Sequence, residues 1–293
     1  MMKPMALCAA LALFAGINAP KLSAEPVCIN ADLLGIYAMH APGTILAAPG
    51  FPASLLGPFV RVGEAIADGR GNITVANTAS YNGTIIPETY AGTYTVSTDC
   101  SVDVQVLVGI PLGPGGSLVN VPFEFQGSLS DNGNSAAFVL CGVGAPCFAQ
   151  PTGNVIRVLF TRNTIYSGLS NCTAASLSGA FQLDMSGVVV AGTTPGLFAR
   201  DGLVAFDGRG AFTVKTTVNS AGTSLATESL TGTYTVDSLC NASLSYTTSD
   251  KVKHLWIGTV TNNGNGAYIM VSEAGSVISG TLTKQRPGFQ WVF

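Results

Sequence analysis

Gly92 to Cys100 reads GTYTVSTDC, and Gly232 to Cys240 reads GTYTVDSLC. A β-branched and aromatic run that opens on glycine and closes on a turn is a strand signal. Its return in the same chain points to a duplicated unit. Working outward, Arg61–Val75 (RVGEAIADGRGNITV) matches Arg200–Val214 (RDGLVAFDGRGAFTV), and Leu33–Met39 matches Leu177–Leu183. Glu88 and Glu228 each stand four residues before the repeated glycine. Downstream, SDNGNSAAFVL at Ser130–Leu140 matches TNNGNGAYIMV at Thr261–Val271, and Gly153–Arg162 matches Gly275–Lys284. The order never changes, so the chain divides into two tandem units, residues 25–165 and 166–288, with a short tail at 289–293.

The units are domain-sized rather than solenoid repeats. Strand runs are separated by Asp68-Gly69, Asn82-Gly83, Asn132-Gly133, Asp207-Gly208 and Asn263-Gly264. Such pairs supply the positive φ that tight hairpins need. About eight strands per unit, with no helical period, predict an all-β chain of two tandem antiparallel barrels. A two-sheet sandwich fits the same strand count. Unit 1 carries two insertions, Gly109–Ser117 and the loop around Cys141–Cys147.

Residues 1–24 read as a secretory signal: Lys3 is the positive start, Met5–Ile17 the apolar stretch and Leu22-Ser23-Ala24 the cleavage site. Secretion or export to a periplasm follows. Cleavage removes Cys8 and leaves six cysteines for an oxidising compartment. Cys28 and Cys172 each precede a matched glycine, Gly35 or Gly179, by seven residues, while Cys100 and Cys240 each follow the GTYTV glycine by eight. Pairing Cys28 with Cys100 and Cys172 with Cys240 therefore staples each unit. Cys141 and Cys147 then close their own loop.

The 293 residues are 47% apolar and 10% charged, which excludes a charge-rich disordered chain. A net charge of −3 without a basic run gives no footprint for nucleic acid. No segment after the signal is long enough for a transmembrane helix. There is no C-x-x-C, H-E-x-x-H, G-x-S-x-G or P-loop, so no metal, cofactor or hydrolase triad is expected. Asp68 and Asp207 are too isolated for calcium.

The G-x-x-x-x-DGRG run followed by GTYTV and a cysteine resembles a family of secreted bacterial proteins of unknown function. The resemblance implies a small calycin-like barrel, related in shape to allene oxide cyclase. It carries no catalytic residue with it.

Period-2 reading of the strands puts Phe59, Arg61, Gly63, Ala65 and Ala67 on one inward face, with Phe198, Arg200, Gly202, Val204 and Phe206 as counterparts. Glu88, Tyr90, Gly92, Tyr94 and Val96 share another, matched by Glu228, Gly232, Tyr234 and Val236. Each unit thus points one arginine and one glutamate inward, either as a structural ion pair or as the polar anchor of a ligand. His254 aligns with Phe123 and shares a face with Trp256. His40 reads as a loop residue after the first strand. The candidate ligand-binding set is therefore Arg200, Glu228, His254, Trp256, Tyr234, Arg61, Glu88 and Tyr94.

Three functions compete. The leading one is a non-catalytic binding or structural module with a small apolar cavity for a hydrophobic molecule. The second is an isomerase or cyclase of the allene-oxide-cyclase type, with its pocket near Arg200, Glu228 and His254. The third is one outer-membrane ring of about sixteen strands, favoured by the aromatic C-terminus FQWVF.

Overall fold

The computed structural model describes residues 27–47, 51–111, 118–144, 146–147, 153–164, 172–192, 194–249 and 251–285. The expected signal at residues 1–24, the expected junction of the two units and the FQWVF tail lie outside the described residues.

The first barrel runs β1 (Gly35–Ile45), β2 (Gly57–Ala67), β3 (Asn72–Tyr81), β4 (Thr84–Val96), β5 (Ser101–Pro111), β6 (Leu118–Ser130), β7 (Ser135–Val143) and β8 (Val155–Thr164). The second runs β9 (Ser178–Val189), β10 (Gly196–Asp207), β11 (Ala211–Ser220), β12 (Thr223–Val236), β13 (Asn241–Thr247), β14 (Lys253–Thr261), β15 (Gly266–Val271) and β16 (Ser276–Lys284). Each set is an antiparallel meander closed by its first and last strands, β1 on β8 and β16 on β9. Closure removes every free edge. The strands form two rings of eight, not one ring of about sixteen.

Alternation decides what lies inside. Ile73, Val75, Phe212 and Val214 point inward, while Asn72, Thr74, Thr213, Lys215 and Thr217 face outward. An apolar inside with a hydroxyl-rich outside is the reverse of the pattern on a membrane-spanning barrel.

The repeated phrase sits at a close backbone crossing in each barrel. A Cβ on Gly92 would lie 2.0 Å from the Gln105 carbonyl oxygen, and one on Gly232 would lie 2.4 Å from that of Ser245. Only glycine lets the backbones cross that closely. The tyrosine amide two residues on donates to the DGRG turn, Tyr94 to Gly71 and Tyr234 to Gly210, both at 2.8 Å. Its hydroxyl ties down a short 3₁₀ segment that plugs the barrel end. Tyr94 donates to Asn30 O (3.1 Å), and Tyr234 to Ala174 O and Leu177 O (2.8 and 2.7 Å). Leu33 and Leu177, fully buried, are the plugs. The cysteine that ends the phrase locks this segment in place: Cys28–Cys100 and Cys172–Cys240 are bridged, and so is Cys141–Cys147. Three disulfides point to a non-cytoplasmic location.

Two expectations about loops need correction. The residues inserted from Gly109 lengthen the β5–β6 hairpin, which pairs from Ser101↔Ser128 to Pro111↔Leu118. Cys141 lies within β7 rather than in a loop.

His40 is also not a loop residue. β1 continues to Ile45, and His40 is buried on its outer face because that face meets the second barrel. A seam forms there from Val60 and Val62 of β2 with Met270 and Val277 of β15 and β16. His40 Nε2 lies 2.9 Å from Ser279 Oγ, and its ring stacks on Tyr268 at 5.2 Å. Thr161 Oγ1 and the Tyr268 hydroxyl are 2.8 Å apart, and Asn163 Nδ2 donates to Val260 O. Ser80 Oγ donates to Ser276 O and Gly275 N to Gly83 O, at 2.7 and 2.8 Å. Burial alone pulls the His40 pKa down to about 4, so the imidazole is neutral at ordinary pH.

The seam predicts how the halves behave apart. The second unit expressed alone from Ser170 should give a β-type circular dichroism spectrum and melt cooperatively, since it has its own core. It should also self-associate in sedimentation through bare Met270 and Val277, and Met270→Asp should restore a monomer. A fragment that stays monomeric without that change would show that the seam is not sticky.

Candidate functional site

In the first barrel the inward arginine and glutamate form a sealed network. Arg61 Nη2 and Glu88 Oε2 are 2.8 Å apart, with side chains only 4% and 3% exposed. Arg61 donates to the Tyr81 and Tyr90 hydroxyls at 2.8 and 3.0 Å. Tyr81 donates to Glu88 Oε1 at 2.6 Å, and Asn77 Nδ2 to Oε2 at 2.8 Å. Burial works against the arginine charge, but Glu88, Tyr81 and Tyr90 more than offset it and hold the guanidinium above its ordinary pKa. Burial pushes Tyr90 up to about 12, so its hydroxyl stays protonated. The space left beside Arg61, among Met39, Tyr90, Phe125 and Phe160, is about 20 Å³, room for one water. The β1–β2 connection lays Phe51 against Tyr81 and Phe123, at 6.0 and 6.2 Å between rings, as a lid.

The second barrel keeps the pair and loses its seal. Arg200 Nη2 lies 2.8 Å from Glu228 Oε2, but the glutamate side chain is 31% exposed. By register, Asn77 is replaced by Thr216, each standing opposite its unit's glutamate. Tyr90, two residues beyond Glu88, is replaced by Leu230. Arg200 meets one tyrosine from a different strand, a 3.4 Å contact from Nη1 to the Tyr246 hydroxyl, and lies over the Trp256 ring at 5.3 Å. Buried Thr216 Oγ1 and Arg200 Nε have no hydrogen-bond partner, as Asn77 Oδ1 and Arg61 Nε have none in the first barrel. The β9–β10 connection, residues 190–195, contains no aromatic residue to act as a lid.

His254 completes this mouth. Tyr246↔His254 in the second barrel matches Val106↔Phe123 in the first, so the histidine stands at the phenylalanine position. Its Nδ1 is 2.8 Å from Glu273 Oε1, its Nε2 is 3.3 Å from Thr248 Oγ1, and its ring stacks on Tyr246 at 5.0 Å. Trp256 is fully buried beneath, edge-on to Tyr246. Arg200, Glu228, His254 and Trp256 are thus brought together, with Tyr246, Thr248 and Glu273 added. Arg61 and Glu88 are sealed in the other barrel, and Tyr94 and Tyr234 hold the plugged ends. Glu273, between β15 and β16, left no local signal. Tyr246 could have been found by continuing the alignment that paired His254 with Phe123. Among the described residues no cluster of three or more His, Cys, Asp or Glu could hold a metal.

No protein-family model matches the chain, and neither does any curated protein. Among solved structures, the chain is similar to the crystal structure of a "putative outer membrane protein" from Bacteroides fragilis, at 14% identity over 88% of this chain and 100% of that one. The TM-score is 0.22, too poor a superposition for a shared fold or function to follow.

Proposed function

We propose that the chain is an exported, non-catalytic binding and structural module that holds the polar end of a small hydrophobic molecule at the mouth of its second barrel. The observation that carries this reading is the contrast between two copies of one motif. Arg61–Glu88 is capped and closed off from solvent, whereas Arg200–Glu228 is uncapped, partly exposed, has lost partners and has gained His254 as a neighbour. An ion pair with few partners at a partly open mouth is suited to a polar head. The sealed interior of the first barrel supports a structural role for that half. A calycin-like architecture makes a barrel mouth the natural place for such a ligand.

Native mass spectrometry of the mature protein, loaded with dodecanoate as probe, tests the reading. A bound mass is expected with the wild type. His254→Phe, which copies Phe123, should lose it while leaving the melting curve in place. No bound mass, or equal loading of both proteins, would overturn the reading. The isomerase alternative has one specific foothold, the 2.8 Å His254–Glu273 contact, a geometry able to relay a proton.

A further inference from the structure

A carboxylate on the outer wall of a barrel normally reaches water, and one that is buried needs a counter-charge. Glu64, on the outer face of β2, is 2% exposed, and its Oε2 has no hydrogen-bond partner. Its neighbours on that face, Val62 on its own strand and Ala76 directly across on β3, line a groove of about 570 Å³ between the barrels. The far wall is the outer face of β13 and β14, with Asn241, Ser243, Ile257 and Thr259. Thr259 is fully buried, and its hydroxyl also has no partner. Asp237, in the turn before β13, lies on the same groove. None of the residues lining it is basic.

We propose that this groove binds a small organic ammonium ion, its charge held by Glu64 and Asp237 and its apolar part lying on Val62 and Ile257. This site is separate from the second barrel's mouth and does not depend on the reading given for it. An ammonium group offers donors and no acceptor. From its lining the groove offers it the Asp237 carboxylate and the idle Thr259 oxygen, and at its edge, beside Val62 and Ala76, stands the buried Glu64 with an empty acceptor position. A bare metal ion fits less well. The space is of the size that takes a small molecule, and Asp237 already spends its oxygens on the amides of Leu239 and Asn241 and on the Asn241 side chain.

Among the described residues no cation acts on Glu64; the seam's arginine, Arg157 on β8, acts on Tyr268 instead. His40 lies nearby on β1 and is neutral, β14 presents Ile257, Thr259 and Thr261, and β15 and β16 present Tyr268, Met270, Val277 and Ser279. Burial, with Asp237 adding to it, raises the Glu64 pKa to about 7. In the empty groove the carboxyl therefore keeps its proton up to neutrality, and an arriving ammonium ion must displace it.

Isothermal titration of the full mature chain with n-hexylammonium chloride, and with n-hexanol as the neutral match, tests the proposal. Hexylammonium should bind and hexanol should not. Affinity should fall by about tenfold for each pH unit below 7, as for any ligand that needs a deprotonated group. Glu64→Gln should abolish binding and His254→Phe should leave it unchanged. If Glu64→Gln does not fold, the pH series on the wild type and the weakening expected from Asp237→Asn decide the matter. Equal binding of hexanol, a flat pH series, or full affinity in a folded Glu64→Gln protein would overturn the proposal.

Discussion

Glu88→Gln should destabilise the first barrel by about 3 to 5 kcal/mol, because it strands the Arg61 guanidinium in a closed interior. Gln keeps the shape and can still receive the Tyr81 hydroxyl, so the loss reports charge rather than packing. Glu228→Gln should cost about 1 kcal/mol or less, since water reaches that carboxylate and screens it. The duplication alone would have the two substitutions act alike; the lid and the sealed network separate them. The chain has two tryptophans, Trp256 and Trp291, and residues 25–165 contain none. Urea unfolding followed by tryptophan fluorescence therefore tracks the second barrel, while circular dichroism sees both. Glu88→Gln should shift the circular dichroism midpoint well beyond the fluorescence one. Replacing the pair together, as Arg61→Met with Glu88→Leu, should recover most of the loss. If Glu228→Gln proves as damaging as Glu88→Gln, the distinction between sealed and open pairs is wrong.

Loss of either long staple should be comparably severe. The Cys28–Cys100 and Cys172–Cys240 bridges span sequence separations of 72 and 68 residues, for which the chain-entropy model gives about 4 kcal/mol each. Cys141–Cys147 spans 6 and should contribute about 2 kcal/mol in the same model. The phrase-closing cysteines have a further property: Cys100 and Cys240 sit at φ 66° and 71°, a region that ordinary side chains resist. Cys100→Gly paired with Cys28→Ser should accordingly be less damaging than the version with Ser at both positions. Urea midpoints of the variants, with non-reducing peptide mapping of the wild type, check these outcomes. A double-Ser variant that melts like the wild type would show that the plugged end needs no staple.

Much of this architecture could be read locally. Period-2 alternation placed Arg61 and Glu88 on inward faces, and the duplication paired the cysteines. Barrel closure could not be read this way. It depends on β1 meeting β8, as in Thr44↔Val155, and no short-range pattern records that pairing. The seam left a partial trace: Val60 and Val62 are apolar on the face that should be wet, the mark of a strand covered on both sides. His40 became a seam residue because the strand runs on through Pro42 and Gly43, which read as punctuation. The unequal exposure of the two Arg–Glu pairs depends on Phe51, a residue in the connection before β2 that belongs to no strand pattern and has no counterpart in unit 2.

His40 and Glu64 on the seam together set how folding exchanges protons with the solvent. Above about pH 4 the folded chain keeps His40 neutral, while the unfolded chain would hold that proton up to about 6.5. Over this range His40 alone makes stability rise with pH. Glu64 does the opposite: from about 4.5 to about 7 the folded chain keeps a proton that the unfolded chain has released, so stability falls as pH rises. Where the windows overlap, one residue gives up a proton on folding and its neighbour takes one up, and the two slopes cancel. The docked pair of barrels is thereby buffered against mild acid. Glu64→Gln would leave the histidine slope unopposed and turn an acid-indifferent joint into one that loosens as the pH drops toward 4.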